Sequence, residues 1–467
     1  MTLASALTID EVILGTGGRL RTPAVRHQAP LPGVSIDSRT IQLGQVFFAI
    51  AGERFDGHAF LAEVAARGAA AAVVHRDVPA PEGLPIVRVG DTTRALADLA
   101  RHWRLAAGIP VVVITGSLGK TTTKDMTAAL LALRGPVLKT EGNLNNQYGL
   151  PLTLLRLRPE HATAVLELGM SAAGELRALS AIAQPDLAVI TKVAPVHLEF
   201  FASIDAIAEA KAEVLDGLRA DGVAVLNGDD PRVRRMGEGR RNRIVWFGRD
   251  RRYDVSAENV RGTPFGMRFD LRVGGQSADV ALPLPGPHFV SNFLAAAAVA
   301  HVQGISPEAI AEAATHLVAA RHRGEVRRLG EGITLIDDCY NSSPDALAAA
   351  VVTLAMAPGP RRVAVLGDML ELGPTGPALH HEQGVALAGT ADVVVGVGPI
   401  ARHFLEGARS AGFLPSRLHH FDDSAGAAAA LPAIVEPGDA VLVKGSRGIR
   451  LEAVVDALIA RFPESGS

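Results

Sequence analysis

The chain has 467 residues and a formal net charge of −3, so about three domains are expected at roughly 150 residues each. Hydrophobic residues make up 48% and charged residues 20%, which excludes a disordered polymer. The near-neutral balance, without long runs of one sign, excludes a nucleic-acid or anionic-membrane surface as the main business of the protein.

The N-terminal segment "MTLASALTIDEVILGTGGRL" has no basic segment followed by an apolar core and cleavage site. The longest apolar runs, such as "FLAAAAVAHV", are about half a membrane span. One cysteine, Cys339, allows no internal disulfide and fits a reducing compartment. A soluble cytoplasmic protein without membrane insertion is expected. The Pro/Gly-rich stretch "VHRDVPAPEGLPIVRVGD" predicts the end of a first domain near residue 90.

The next element is "VVVITGSLGKTTTKDM", residues 111–126. A buried strand runs into glycines and then a helix. Glycines let backbone N–H groups approach phosphate oxygens, and a helix N-terminus favours anions. Lys120 would neutralise phosphate charge and Thr121 would offer a hydroxyl to Mg²⁺. The common loop pattern needs glycine at 114, where this chain has Ile114; the spacing here is G-x-x-G-K-T from Gly116.

Further apolar runs follow: "ATAVLELG", "DLAVITKV", "GVAVLNGDD", "RVAVLGD", "ADVVVGVG" and "DAVLVKGS". Each is continuous, ends in polar or small residues and precedes a helix-like segment, which predicts parallel sheets with crossover helices. Ligands of such sheets bind beyond the strands' carboxyl ends. Glu167 ends one run and is either a metal-site carboxylate or a solvated loop glutamate. His197 lies just past another and is either structural or a ligand.

In "SIDAIAEAKAEVLDGL", Ile204, Ile207, Val214, Leu215 and Leu218 form a helical stripe that contains Lys211. A buried ammonium is costly unless paired, depressed in pKa or modified; the alternative is a lysine snorkelling at the stripe's edge. Residues 251–285 alternate apolar and polar around a "GG" turn, predicting antiparallel hairpins inserted into the α/β part. Asn292, one turn after His288 on an alanine-rich helix, needs a polar partner, either a ligand edge or a backbone group. A second boundary is expected near 321, at "AARHRGEV". Beyond it, "TLIDDCYNSSPDAL" brings Asp337, Asp338, Tyr340 and Asn341 to a strand end. "VLGDMLELG" and "VLVKGSRGIRLEAVV" bring Asp368, Glu371, Lys444, Ser446 and Arg447 near one end of a sheet. Helix capping explains Asp368 and Ser446 equally well.

Together these motifs resemble the Mur ligases of peptidoglycan synthesis, over nearly the whole chain. The family's loop T-G-[ST]-x-G-K-[ST] is matched by "TGSLGKT", Thr115 to Thr121. "DSRTIQLGQVFFAIAGERFDGHAF", "EGNLNNQYGLPLTLLRL", "LIDDCYNSSPDAL" and "VLGDMLELG" resemble the family member that joins D-Ala-D-Ala to UDP-N-acetylmuramoyl-tripeptide through an acyl phosphate.

The resemblance implies an α/β fold of three domains. A small substrate domain covers 1–90. A central ATPase-like parallel sheet with an antiparallel β insertion covers 91–321. A Rossmann-like domain over 322–467 closes on ATP and the dipeptide. It implies ATP and Mg²⁺ as cofactors and a monomer. Thr115, Gly116, Ser117, Leu118, Gly119, Lys120, Thr121 and Thr122 match the ATP loop. Asn292, Arg323 and Asp338 match positions that hold adenine, phosphate and ribose. Thr121, Glu167, His197 and Lys211 match the metal site; Lys211 matches the lysine that is carbamylated in several family members, and the resemblance implies that Lys120, Lys211 and His197 carry catalysis. Asp37, Ser38 and Arg39 match the UDP-sugar contacts and Asn145 and Asn146 the substrate loop. Tyr340, Asn341, Asp368, Glu371, Lys444, Ser446 and Arg447 match the C-terminal substrate side.

The chain departs from the family pattern at Leu118, usually polar; at Phe289, usually asparagine; at Cys339, commonly serine; and in the loose segment "KVAPVHLEFF". Rival readings are the third-residue-adding ligase, a folylpolyglutamate synthetase, or a non-catalytic nucleotide switch that would not need Lys211.

Overall fold

The computed structural model describes residues 6–21, 28–53, 55–196, 198–263 and 265–464. It has three sheets in chain order. The first contains β1 (Arg19–Leu20), β2 (Val34–Ser35), β3 (Val46–Phe48), β4 (Ala71–Val74) and β5 (Ile86–Arg88), arranged β1-β5-β4-β3-β2. All pairings are parallel except β1 with β5.

The helix Thr92–Ala107 follows and joins this sheet to the next. Its amphipathic pattern buries Leu96, Leu99 and Trp103. These belong to one apolar cluster that runs from Val46 and Val73 of the first sheet to Val113, Leu150 and Leu226 of the second. Arg104 is buried on the same helix. It donates to Asp186 at 2.7 Å and to the carbonyls of Ala183 and Gln184. Burial lowers its pKa and Asp186 opposes that, so the charge is compensated, as a buried guanidinium must be.

The central sheet comprises β6 (Val111–Thr115), β7 (Val137–Lys139), β8 (Thr163–Glu167), β9 (Leu187–Ile190), β10 (Val223–Asn227), β11 (Arg243–Gly248), β12 (Val255–Thr263), β13 (Gly266–Val273) and β14 (Gln276–Leu282). Its order is β14-β13-β12-β11-β10-β9-β6-β8-β7. The parallel strands β6, β8, β9 and β10 are buried along their length, which is why they read as unbroken apolar runs. The predicted hairpins are antiparallel, and they extend this same sheet at its β11 edge. Their alternation reflects one face packed under the helix Pro287–Val302, whose Phe293 meets Phe269 edge-on at 5.6 Å.

The third sheet holds β15 (Glu325–Arg328), β16 (Thr334–Asp337), β17 (Arg362–Gly367), β18 (Val393–Val397), β19 (Leu418–Phe421) and β20 (Ala440–Lys444), in the order β15-β16-β20-β17-β18-β19. Only β15 runs antiparallel. The architecture is thus α/β with three domains' worth of sheet, as expected. No helix among the described residues is long and apolar enough to cross a membrane.

Candidate active site

The strand order around β6 places the site. β6 lies between β8 and β9, and register sets Ile114 beside Glu167 and Thr115 beside Ile190. Three strand ends therefore open on one crevice, where the loop after β6 enters the helix Lys120–Leu131.

Close approach dictates the loop's glycines. Gly116 has φ +148°, and a Cβ there would lie 2.0 Å from Thr191 Oγ1; one on Gly119, at φ +80°, would lie 2.3 Å from Asn292 Oδ1. Both positions exclude side chains. Thr115 is fully buried and donates to the Leu168 carbonyl at 3.0 Å. Ser117 donates its N–H to the Lys192 carbonyl at 2.6 Å and its hydroxyl to the Ala194 carbonyl at 3.1 Å. Leu118 is held through its backbone carbonyl, which accepts from Thr191 Oγ1 at 2.6 Å; the loss of a polar side chain there leaves that contact intact. Thr122 is half-buried in the first helical turn, whose N–H groups have no acceptor within the helix.

Lys120 folds back over the loop and donates to the Gly116 carbonyl at 2.8 Å and that of Ser117 at 3.3 Å. Burial lowers its pKa; Glu167 opposes the shift and Arg323 adds to it. Glu167 is the centre of the site. Its Oε2 accepts from Thr121 Oγ1 at 2.8 Å and its Oε1 from Asn145 Nδ2 at 2.9 Å. Thr140 Oγ1 accepts the Glu167 N–H at 3.0 Å and fixes the strand end. Asn145 and Asn146 separate here: Asn146 Oδ1 accepts from the Tyr148 and Gly149 N–H groups and so caps the helix Gly149–Leu154.

Lys211 is 2% exposed, on the helix Ile204–Ala212. Among the described residues its ammonium has no hydrogen bond or ion pair. Burial, and then the charge of Lys120, push its pKa well below the ordinary lysine range. The predicted stripe is real at Ile207, Val214 and Leu215, but the α-helix tightens into a 3₁₀ turn over Glu213–Gly217. His197 lies outside the described residues.

The C-terminal sheet supplies a second wall. Asp338 and Lys444 leave adjacent strands β16 and β20. They pair at 2.6 Å, and Lys444 also donates to the Asn341 carbonyl at 3.0 Å. His288, at the start of the helix that carries Asn292, feels both charges; burial takes it down to about 4 and Nδ1 is left without a hydrogen-bond partner. Arg323 stacks on Tyr340 at 4.0 Å, with Arg447 at 5.6 Å from the same ring. Phe289 is buried and lies under Gly324, just before β15, filling that space with apolar volume.

Other predicted residues do structural work. Asp368 Oδ1 accepts from the Ile400 and Ala401 N–H groups, and Ser446 Oγ accepts from Leu370 N–H at 2.9 Å. These contacts lash the loop carrying Glu371, which has φ +63°. Asp37, Ser38 and Arg39 sit in the first domain. Arg39 forks onto Asp37 at 2.9 and 2.7 Å and holds that carboxyl down at about 2, while Ser38 is buried beside Glu63.

In the loop after β9, sequence reasoning singled out His197 and passed over Thr191 and Lys192. Thr191 and Lys192 hold the phosphate-type loop. Asn227 donates to the Thr191 carbonyl at 2.6 Å, and Asp230 accepts from Val193 N–H at 2.8 Å. The signal was present as the polar end of "VAVLNGDD". Lys192 also pairs with Asp345 of the C-terminal part at 2.6 Å.

The donor set fits a nucleotide and a hard cation: Lys120 and open helical N–H groups for phosphate, and the oxygens of Thr121, Glu167 and Asn145 for Mg²⁺. Comparison with known proteins agrees in kind. Residues 30–104, 114–300 and 322–447 match the models of the Mur ligase family catalytic domain, the Mur ligase middle domain and the Mur ligase glutamate ligase domain. The chain is 36% identical over 454 residues to UDP-N-acetylmuramoyl-tripeptide–D-alanyl-D-alanine ligase of Bacillus subtilis, covering 97% of each. It is similar to the crystal structure of MurF from Acinetobacter baumannii, with TM-score 0.89, 34% identity and coverage of 98% and 100%. It is also similar to MurF ligase from Thermotoga maritima in complex with ADP, with TM-score 0.82, 30% identity and coverage of 92% and 97%.

Proposed function

The chain belongs to the Mur ligase family, and from that premise we propose that it joins D-Ala-D-Ala to UDP-N-acetylmuramoyl-tripeptide in peptidoglycan precursor synthesis. ATP is consumed. The observation that carries the reading is Glu167, tied at once to Thr121 of the phosphate-type loop and to Asn145 of the substrate loop, with its charge acting on the buried amine of Lys120, which in turn acts on the buried amine of Lys211.

The first step transfers a phosphoryl group to the tripeptide carboxylate, so two anions must meet. Lys120 offsets their repulsion once it leaves the Gly116 and Ser117 carbonyls for phosphate. Thr121, Glu167 and a modified Lys211 would hold Mg²⁺, which would supply further charge neutralisation. Burial, and then the charge of Lys120, favour the neutral amine of Lys211, the form that adds CO₂ with loss of a proton, and the resulting carbamate is an anion suited to a cation site. Asn145 orients Glu167 and the acceptor peptide. Asn292, Arg323 and Asp338 hold the nucleotide, and Tyr340 and Arg447 line the side from which the dipeptide amine attacks the acyl phosphate. His197, where the family's metal-site histidine falls, completes the proposed set. The first domain takes the UDP-sugar through Asp37, Ser38 and Arg39. All proposed groups come from one chain, which supports action as a monomer. ATP and a nucleotide-linked sugar are substrates of the cell interior, and a single cysteine, Cys339, needs no oxidising compartment; both support action in the cytoplasm.

Lys120→Ala is expected to abolish ADP release that depends on tripeptide and D-Ala-D-Ala together, at saturating substrates. Turnover near that of the unsubstituted protein would remove Lys120 from the mechanism.

A further inference from the structure

Behind the nucleotide-side residues Asp338 and Tyr340 lies a cluster that the proposed reaction does not use. His322, Asp337 and Cys339 each present a donor atom, and the three atoms lie within 4.8 Å of one another. His322 lies in the segment that connects the helix Pro307–Ala314 to β15; Asp337 ends β16, and Cys339 follows two residues later.

Of the acids there, Asp338 is paired with Lys444 and Glu452 with Arg447, whereas Asp337 depends on a histidine. The Asp337 side chain is 0% exposed, and among the described residues its one partner of cationic type is His322 Nδ1, at 2.7 Å. The neighbouring lysine, Lys444, is committed to Asp338. A buried carboxylate needs a compensating charge. Cys339 is fully buried beside it. Burial, then Asp337, then Glu452 and Asp338 push its thiol pKa upward, so the thiol sits in a negative field that favours a cation. Glu452 adds an Oε2 buried without a hydrogen-bond partner.

An imidazole, a carboxylate and a thiol fit a borderline-soft divalent ion, with water in the fourth position. We propose that His322, Asp337 and Cys339 form a Zn²⁺-class cation site that ties the segment before β15 to the end of β16. Binding breaks the Cys339 S–H bond, forms a sulfur–metal bond and sends that proton to solvent. His322 keeps one proton, which moves from Nδ1 to Nε2 as Nδ1 takes the metal. The ion then faces one thiolate and one carboxylate, and the local charge closes.

The chain has a single cysteine, which makes the test specific. Metal-free full-length protein is titrated with Co²⁺, and the near-ultraviolet thiolate-to-cobalt band is followed. The oxygen-rich site at Glu167 cannot produce that band. The expected result is a band that saturates at one equivalent, bleaches on adding Zn²⁺, vanishes in Cys339→Ser, and needs about tenfold or more Co²⁺ in His322→Gln. Unchanged far-ultraviolet circular dichroism checks that both variants fold. Absence of the band in the folded unsubstituted protein, or a titration that His322→Gln leaves unchanged, overturns the site; His322 is then the imidazolium partner of Asp337 and nothing more.

Discussion

Lys211 shows how one side chain carries a functional argument. Its helix gives it apolar neighbours on the stripe, and the charge that acts on it is another cation, Lys120, so burial and repulsion both favour the neutral amine. A lysine serving only as packing would tolerate methionine. Lys211→Ala is expected to lose almost all ligase activity and to regain part of it with a short carboxylic acid, which supplies the missing anion. Undiminished turnover without added acid would exclude the carbamate role. Lys211 and Glu167 were legible because each breaks a local rule, a cation on an apolar stripe and a charge at the end of a buried strand; Lys120 was legible because it follows a glycine loop at the start of a helix. Asn146 was legible only through the family resemblance and Asp368 only as a polar residue at a strand end. Their caps depend on backbone N–H groups, as far away as Ile400 and Ala401 for Asp368, and no periodicity encodes that distance.

At the scale of an element, the loop after β17 is held by His380. Its Nδ1 donates to the Gly376 carbonyl at 2.7 Å and its Nε2 accepts from Met369 N–H at 2.9 Å, so the ring is locked neutral in one tautomer. It is fully buried against Phe404, and burial takes its pKa from the ordinary 6.5 to about 4. Below pH 6.5 the unfolded chain takes up a proton there and the folded chain does not. Stability therefore falls as pH drops from about 6.5 to about 4 and levels off below, with a limit on the order of 3 kcal/mol for this group. The urea midpoint of the protein is expected to fall over that window, and less steeply in His380→Gln, with His288 supplying part of the remaining slope. Equal slopes in the two proteins would refute the lock. Nothing in "GPALHHEQ" marks His380 over His381 except the helical face it takes, and that is set by packing against the helix Arg402–Ser410.

Across the whole molecule, the loop after β9 is the physical link between the phosphate-type loop and the C-terminal sheet. Thr191 and Lys192 bond the backbone of Leu118 and Ser117, and the Lys192 ammonium reaches Asp345 in the first turn of the helix Pro344–Met356. Leu198 packs on the C-terminal core cluster close by. The ion pair is partly exposed, so it stabilises by about 0.2–1 kcal/mol at most. That is small against folding, but the pair joins the support of the phosphate-type loop to the C-terminal sheet, and such positioning governs how well three substrates stay aligned. Lys192→Glu places two carboxylates together and is expected to lower kcat/KM for D-Ala-D-Ala by about fivefold or more, with the thermal midpoint nearly unchanged. Asp345→Lys should do the same from the other side. The double variant Lys192→Glu/Asp345→Lys restores opposite charges and is expected to recover most of the loss. A double variant as poor as the product of the single effects would mean that the contact does not couple the domains, and that alignment would then rest on Arg323, Tyr340 and the apolar packing of Phe289 beneath Gly324.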